Sequence, residues 1–194
     1  ITLAISETAT HAAILAAEKA QAAGVKVSCD LNFRKNLWRW RSDSDARSLA
    51  RSIMPDFLEN VNVIIGNEED AADVLDIHAG DTDVHSGSLE IAHYPDVARQ
   101  IAQRFNNVDQ VAITLRESIS ATHNNWGAML FDVCSDTAVF APMNGKQYEP
   151  YEIRNIVDRV GGGDSFAAGL IYAMTTKDFA SAQDQVDFAV AASC

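Results

Sequence analysis

The feature that most constrains the fold is a recurring order of helix, strand and polar loop in the first part of the chain. Ala-rich stretches and apolar residues four apart predict the helices, and short apolar runs predict the strands. These strands are expected at residues 25–29, 61–65 and 111–115. Alternating strands and helices imply a parallel sheet with helices on its faces, in which ligands bind beyond the carboxyl ends of strands.

The predicted helices fill the intervals between these strands. Ser6 is a suitable N-cap for a helix over 7–23 that stops at Gly24. Further helices are predicted over 44–60, with an interruption near Pro55, and over 68–75 and 94–106. Residues 76–95 are rich in Gly, Asp, His and Ser without periodicity, so we expect a surface loop there.

After residue 115 the pattern changes to short strands, predicted over 126–133, 137–142 and 148–156, followed by helices over 164–175 and from 182 onward. The chain has 194 residues, of which 47% are hydrophobic. That is enough for one buried core, so we expect a single domain over 1–194 of the α/β class.

Charge and composition exclude several classes of protein. The net charge of −12 argues against nucleic acid or an anionic membrane as a partner, because both require a basic surface. No apolar run approaches the roughly 20 residues of a membrane span, and no signal peptide is recognisable. Three widely spaced cysteines fit reduced thiols. The sequence therefore predicts a soluble, cytoplasmic protein.

The strongest chemical motif is a run of three glycines and an acid, Gly161 to Asp164, which leads into an Ala-rich apolar stretch. Glycines leave backbone N–H groups unobstructed, and a helix that starts here adds its positive dipole end, so the turn can hold an anion. The same dipole keeps Asp164 ionised and able to accept a proton. The alternative is a tight loop with Asp164 as a helix cap. A P-loop is excluded, because no Gly-Lys-Ser/Thr is present.

The stretch from Asp158 to Phe166 resembles the carboxyl-terminal signature of the ribokinase-like (PfkB) carbohydrate kinases, usually Asp-Thr-x-Gly-Ala-Gly-Asp. It differs at Arg159, where Thr is usual, and at Gly162, where Ala is commoner. The resemblance implies a three-layer α/β/α fold with a mostly parallel central sheet. It also implies ATP as phosphoryl donor, Mg²⁺ as cofactor, Gly161, Gly162 and Gly163 as an anion hole, and Asp164 as the catalytic base.

A second motif follows the first predicted strand, where Asp30, Asn32 and Arg34 alternate with apolar residues. If the chain stays extended, these three polar groups point one way and suit a polyol that bears a carboxylate. The alternative is that Asp30 and Arg34 merely pair with each other. The run also resembles the Asp-x-Asn-x-Arg-x-x-Leu-Trp stretch of 2-keto-3-deoxygluconate kinases in the same family. The resemblance implies that Asp30, Asn32, Arg34 and Asp164 bind the sugar acid.

Two further motifs follow the next two predicted strands. Asn67 is a suitable N-cap for the helix after residue 66, and capping alone would explain it. The resemblance makes Asn67 and Asp70 the Asn-x-x-Glu motif that organises Mg²⁺ and phosphates, Asp70 acting through water, with Asp158 as a further metal residue. Asp70 stands where Glu is usual.

Residues 114–118 resemble the Thr-Leu-Arg-Glu-Ser nucleotide segment of ketodeoxygluconate kinases. The resemblance implies that Thr114, Arg116 and Ser118, with Asn67 and Gly163, contact the nucleotide. The alternative for Arg116 is an ordinary surface arginine.

The four motifs occur in family order and the resemblance covers essentially the whole chain. It implies transfer of the ATP γ-phosphate to the 6-hydroxyl of 2-keto-3-deoxygluconate. The alternatives are a fructokinase or ribokinase of the same family, or a non-catalytic PfkB-like fragment. Ile1 and Cys194 lie within apolar patterns, so we expect both ends to be cut. The resemblance implies that a preceding segment supplies the first part of the sheet and a lid through which homo-oligomers form.

Overall fold

The computed structural model describes residues 1–78, 91–158 and 160–194. Most of the loop predicted over 76–95 therefore lies outside the described residues, as does Arg159. The helices are α1 (Thr2–Ile5), α2 (Glu7–Ala22), α3 (Ala46–Leu58), α4 (Glu68–Leu75), α5 (Tyr94–Arg104), α6 (Gly162–Thr175) and α7 (Ala182–Ala191), with a 3₁₀ turn at Ile91–His93. The strands are β1 (Ser28–Asp30), β2 (Val63–Gly66), β3 (Gln110–Ser120), β4 (His123–Asp132), β5 (Thr137–Ala141), β6 (Met143–Asn144), β7 (Gln147–Tyr148) and β8 (Tyr151–Arg154).

The central sheet is parallel through β1, β2 and β3, with Cys29 opposite Ile64 and Ile64 opposite Val111. It continues antiparallel through β4, which pairs with β5 along one part of its length and with β8 along another. Strands β6 and β7 form a separate two-stranded ribbon. Because β1, β2 and β3 run the same way, their carboxyl ends meet at one edge of the sheet.

Alternate residues of these strands face two separate cores, as the period of two in a strand requires. On one face, Ile64, Val111 and Ile113 pack with residues of α3, α4 and α5. On the other, Val63 and Ile65 pack with residues of α6 and α7. The predicted three-layer α/β/α arrangement is confirmed. Within the described residues no helix combines the length and the apolar character that crossing a membrane requires.

Helices α6 and α7 approach each other closely at Gly169. A Cβ at this position would lie 3.0 Å from the Cβ of Ala192 and 3.1 Å from the Cα of Ala189. Further along α6, Leu170 and Ala173 are fully buried. This packing fixes α6 against α7, and with it the glycine-rich turn from which α6 starts.

Most predicted elements are present, but several differ in their bounds, and the strand predicted over 148–156 is divided into β7 and β8. Helix α3 runs through Pro55 without interruption, because the buried Met54 and Leu58 hold both sides of it against the core. Strand β1 starts at Ser28 rather than at residue 25, since the backbone of Val27 instead bonds to Asn62. Strand β3 extends to Ser120, well beyond the predicted end at residue 115, because β4 pairs with it along this length.

Candidate active site

Three sequence motifs meet where the parallel strands end. The last residue of β1, Asp30, lies opposite Ile65, one residue before the end of β2. Gly66 lies opposite Ile113 of β3, and the hydroxyl of Thr114 donates a hydrogen bond to the Gly66 carbonyl at 3.4 Å. The fold thus places the segments that start at Asp30, Asn67 and Thr114 side by side, at the edge where α/β sheets bind ligands.

The segment after β1 does not stay extended, so the predicted alternation of Asp30, Asn32 and Arg34 on one face is wrong. Asn32 has a left-handed backbone, with φ of 35°, which turns the chain. Before the turn, Leu31 is buried and its N–H donates to the carbonyl of Ile65 at 2.8 Å. The placement of Arg34 therefore depends on this turn, whereas Asp30 is placed by β1 itself.

Arg34 is exposed, and within the described part of the chain its guanidinium forms no ion pair or hydrogen bond. The alternative in which Asp30 and Arg34 only pair with each other is therefore not what the structure shows. The guanidinium lies near enough to Asp70 to oppose the rise in the pKa of that carboxyl. Arg34 is thus a cation available to an external anion.

Asn67 and Asp70 form a capping box at the start of α4. The side chain of Asn67 accepts a hydrogen bond from the N–H of Asp70 at 2.7 Å, and the Asp70 carboxylate accepts one from the N–H of Asn67 at 3.4 Å. The second oxygen of Asp70 accepts from the N–H of Phe33 at 2.8 Å. The predicted capping role of Asn67 is confirmed, and Asp70 also reaches the segment after β1.

The contact between Phe33 and Asp70 was not predicted from the sequence. The two residues are 37 positions apart, and neither has a local pattern that indicates the other. Only the pairing of β1 with β2 brings the two segments together.

Two carboxyl groups at this edge hold their protons more tightly than usual. Burial, followed by the charge of Asp70, raises the pKa of Asp30 from 3.8 to about 6, and the charge of Asp164 adds to the rise. Asp30 also lines a mainly apolar groove of about 460 Å³ between β1, α2 and α3. Burial likewise raises the pKa of Asp70, although hydrogen bonds from Phe33 and Asn67 oppose this. Negative charge is therefore in excess here, which favours a bound cation.

Helix α6 begins at Gly162, two residues before its predicted start, which makes Asp164 its third residue. Gly161 precedes it in a left-handed conformation with φ of 88°, and its carbonyl accepts the N–H of Ser165 at 2.8 Å. A Cβ at Gly162 or Gly163 would meet no atom within 4 Å. Packing therefore does not require glycine at either position.

The space in front of Gly162 and Gly163 is open, and Asp164 is exposed beside it. The unpaired N–H groups of a helix start are directed at this space, where an anion can be held. Asp158 precedes the turn, and its carboxylate accepts the N–H of Val160 at 2.9 Å.

Residues 114–118 all lie within β3, although the predicted strand ended at residue 115 and left residues 116–118 after it. Arg116 is opposite Trp126, whose ring packs edge-on against Phe166 of α6 with 6.4 Å between ring centroids. Directly opposed residues share a face, so Arg116 faces the α6 side, and Thr114 and Ser118 share that face by alternation. Among the described residues Arg116 and Ser118 have no hydrogen bond to the motifs at the strand ends.

The oxygen donors at this edge are of the type that Mg²⁺ prefers. Both oxygens of Asp70 already accept backbone N–H groups, so Asp70 is suited to hold a cation through water. Across the described ranges, no three His, Cys, Asp or Glu side chains converge as a direct metal site.

Comparison with known structures gives several neighbours. 2-Dehydro-3-deoxygluconokinase from Thermotoga maritima is 39% identical, with a TM-score of 0.73 over 92% of this chain and 46% of that one. A PfkB family carbohydrate kinase from Listeria grayi is 24% identical, with a TM-score of 0.77 over 99% of this chain and 50% of that one. Arabidopsis thaliana ribokinase, solved with ribose and ATP, is 19% identical, with a TM-score of 0.59 over 95% and 45%.

The chain thus spans about half the length of the structures it resembles. No curated protein matches it. Residues 2–194 match the family described as pfkB family carbohydrate kinase. With the fold and the ordered motifs in agreement, the chain belongs to the pfkB family of carbohydrate kinases.

Proposed function

We propose that this protein transfers the γ-phosphoryl group of ATP to the 6-hydroxyl of 2-keto-3-deoxygluconate, also called 2-dehydro-3-deoxygluconate. The observation that carries the proposal is Arg34, an exposed guanidinium without an ion pair in the described residues, at the carboxyl edge of the sheet. A sugar kinase that acts on neutral sugars has no need of such a cation. The 39% identity to the Thermotoga maritima 2-dehydro-3-deoxygluconokinase supports the same substrate.

Arg34 binds the sugar carboxylate through two parallel N–H···O bonds, the geometry that a guanidinium provides and an ammonium does not. Asn32 and Asp30 bind the sugar hydroxyls beside it. The turn at Asn32 lies between Asp30 and Arg34 in the chain, and in the proposal the ligand lies between this carboxyl group and this cation.

The transfer step takes place at the start of α6. The oxygen of the sugar 6-hydroxyl forms a bond to the γ-phosphorus, and Asp164 accepts the proton of that hydroxyl. The bond from the γ-phosphorus to the bridging oxygen breaks, and ADP leaves. The N–H groups of Gly161, Gly162 and Gly163 stabilise the negative charge on the phosphoryl oxygens. Such transfer depends chiefly on positioning and electrostatic stabilisation, so these amides matter at least as much as the base.

The nucleotide lies along the α6 side of β3, against Thr114, Arg116 and Ser118, and reaches Gly163 and Asn67. Mg²⁺ supplies charge neutralisation on the phosphates when it is bound. Asn67, Asp70 and Asp158 would hold it, Asp70 through water because its oxygens already accept backbone N–H groups.

The proposal is tested by measuring ADP release from the full protein with ketodeoxygluconate, fructose and ribose in turn. We expect turnover with the sugar acid and little with the neutral sugars. Arg34→Ala should raise the KM for the sugar acid roughly tenfold to hundredfold, the loss expected for a hydrogen bond to a charged group. Lys35→Ala, which removes the adjacent exposed cation, is the matched control and should leave this KM unchanged.

Phosphorus NMR of the product identifies the phosphorylated position. Preferred turnover of fructose or ribose, or an Arg34→Ala variant with an unchanged KM for the sugar acid, would overturn the substrate assignment. Absence of turnover with all three sugars would favour a protein that binds nucleotide without phosphorylating these sugars.

A further inference from the structure

The segment that carries Arg34 is attached to the fold at several points. Leu31 is buried and bonded to β2 through the carbonyl of Ile65. Beyond Arg34, the N–H of Leu37 donates to the Arg34 carbonyl at 2.8 Å, and Trp38 is buried. Between these points the chain turns at Asn32 in a strained backbone region, which needs support from its surroundings.

The support comes from Asp70. Its Oδ1 atom accepts the N–H of Phe33 at 2.8 Å, one residue before Arg34 and one after Asn32. Its Oδ2 atom accepts the N–H of Asn67 within the capping box of α4. A single carboxylate therefore fixes the segment after β1 to the helix that follows β2, and a hydrogen bond to a charged acceptor is among the stronger ones in proteins.

We propose that Asp70 is a positioning residue for sugar recognition, which holds Phe33 and thereby sets the place of Arg34. This role is separate from the water-mediated contact with Mg²⁺ assigned above, and its effect on the sugar rests on the proposed function. It couples the Asn67 motif, on the nucleotide side, to the sugar-binding segment through a direct bond.

Two substitutions separate the hydrogen bond from the charge. Asp70→Asn removes the charge but keeps a carbonyl oxygen that can accept from Phe33. Asp70→Ala removes both. Glu69→Ala is the matched control, since Glu69 is an exposed acid in the same first turn of α4 and has no hydrogen bond or ion pair with the segment after β1 in the described structure.

The direct measurement is amide hydrogen exchange at Phe33 in the full protein. Exchange at Phe33 should accelerate roughly tenfold or more in Asp70→Ala, from the loss of a hydrogen bond to a charged group. It should change little in Asp70→Asn and in Glu69→Ala. Equal exchange in the wild type and in Asp70→Ala would show that Asp70 does not hold Phe33. That result would overturn the positioning role, whether or not the protein proves to be a sugar acid kinase.

The functional consequence of losing this hydrogen bond should be a higher KM for the sugar acid, without a matching rise in the KM for ATP. We expect Asp70→Ala to raise the KM for the sugar acid about tenfold above its value in Asp70→Asn. The two variants should share any change in Mg²⁺ dependence, because both lack the charge. The same KM for the sugar acid in both variants would contradict a positioning role. Thermal unfolding of each variant verifies that the protein is folded in these assays.

Discussion

At the scale of single residues, the candidate site is an acidic group whose members are buried to different degrees. Asp30 and Asp70 are partly buried, and burial raises the pKa of both, with the charge of Asp70 adding to the rise for Asp30, whereas Asp164 is exposed at the start of α6. A partly buried carboxylate without a close cation lowers the free energy of unfolding. Binding of a cation or a polar substrate beside it raises that free energy again.

This arrangement predicts a pH dependence for Asp30. Because its pKa is about 6 in the folded protein and 3.8 when unperturbed, the folded state holds this proton more tightly than the unfolded state. Its contribution to the free energy of unfolding therefore falls as the pH rises from about 4 through about 6, and stays low above that. Asp30→Asn should unfold at higher urea concentration than the wild type at pH 7, and the difference should shrink towards pH 4.

The matched control is Asp43→Asn, which removes an exposed carboxylate from the same loop region. Urea unfolding of the three proteins across this pH range makes the comparison. An Asp30→Asn variant that is less stable than the wild type at pH 7 would show that the carboxylate is stabilised by its surroundings, contrary to our account.

At the scale of elements, the glycine-rich start of α6 combines open space with unpaired N–H groups. Gly161 requires a left-handed backbone, but Gly162 and Gly163 do not, and neither would clash with protein if it were Ala. Packing therefore does not explain their identity, and the proposed function does, because it needs space in front of their N–H groups for a phosphoryl group. Fold and function therefore place different demands on neighbouring glycines.

Substitution of Gly162 and Gly163 distinguishes their effect on stability from their effect on catalysis. Gly163→Ala and Gly162→Ala should each leave the fold intact and stabilise the helix by up to about 1 kcal/mol. Gly163→Ala should lower kcat roughly tenfold or more, since its methyl group obstructs the amides that stabilise the phosphoryl group. Gly162→Ala should keep most activity, because the PfkB signature usually has Ala there. Equal kcat in the two variants would contradict the assigned anion hole.

Sequence patterns predicted the type and order of the elements well, and their ends less well. Helix α4 has its predicted bounds, because a capping box marks its start and the apolar pattern ends with it. Strand β3 was predicted too short because its last residues, from Arg116 on, are mostly exposed and owe their conformation to pairing with β4. Pro55 was wrongly expected to interrupt α3, since tertiary packing outweighs a single lost backbone bond.

At the scale of the whole molecule, the sheet order assembles the site from distant segments. Asp30, Asn67 and Thr114 adjoin only because β1, β2 and β3 are parallel neighbours. The residue types of the site were predictable from strand ends and glycine patterns. The turn at Asn32 and the bond between Phe33 and Asp70 were not, because both depend on contacts between segments far apart in sequence.

Overall charge also bears on the site. The protein carries a net charge of −12, yet Arg34, Lys35, Arg39 and Arg41 lie within eight residues of one another without an intervening acid. Of these four, Arg34 follows the carboxyl end of β1, where its charge can attract an anion that the rest of the surface repels. The proposed substrates, the sugar acid and ATP, are both anions.

The most direct test of phosphoryl transfer at the start of α6 is the turnover of Asp164→Asn at saturating ATP and ketodeoxygluconate. Ser165→Ala, which alters the adjacent exposed residue of the same helix, is the control and should retain activity. We predict that Asp164→Asn lowers kcat by about 10² to 10⁴, the contribution expected of a general base, while the Kd for ATP stays nearly unchanged. Turnover of Asp164→Asn close to that of the wild type would contradict the account.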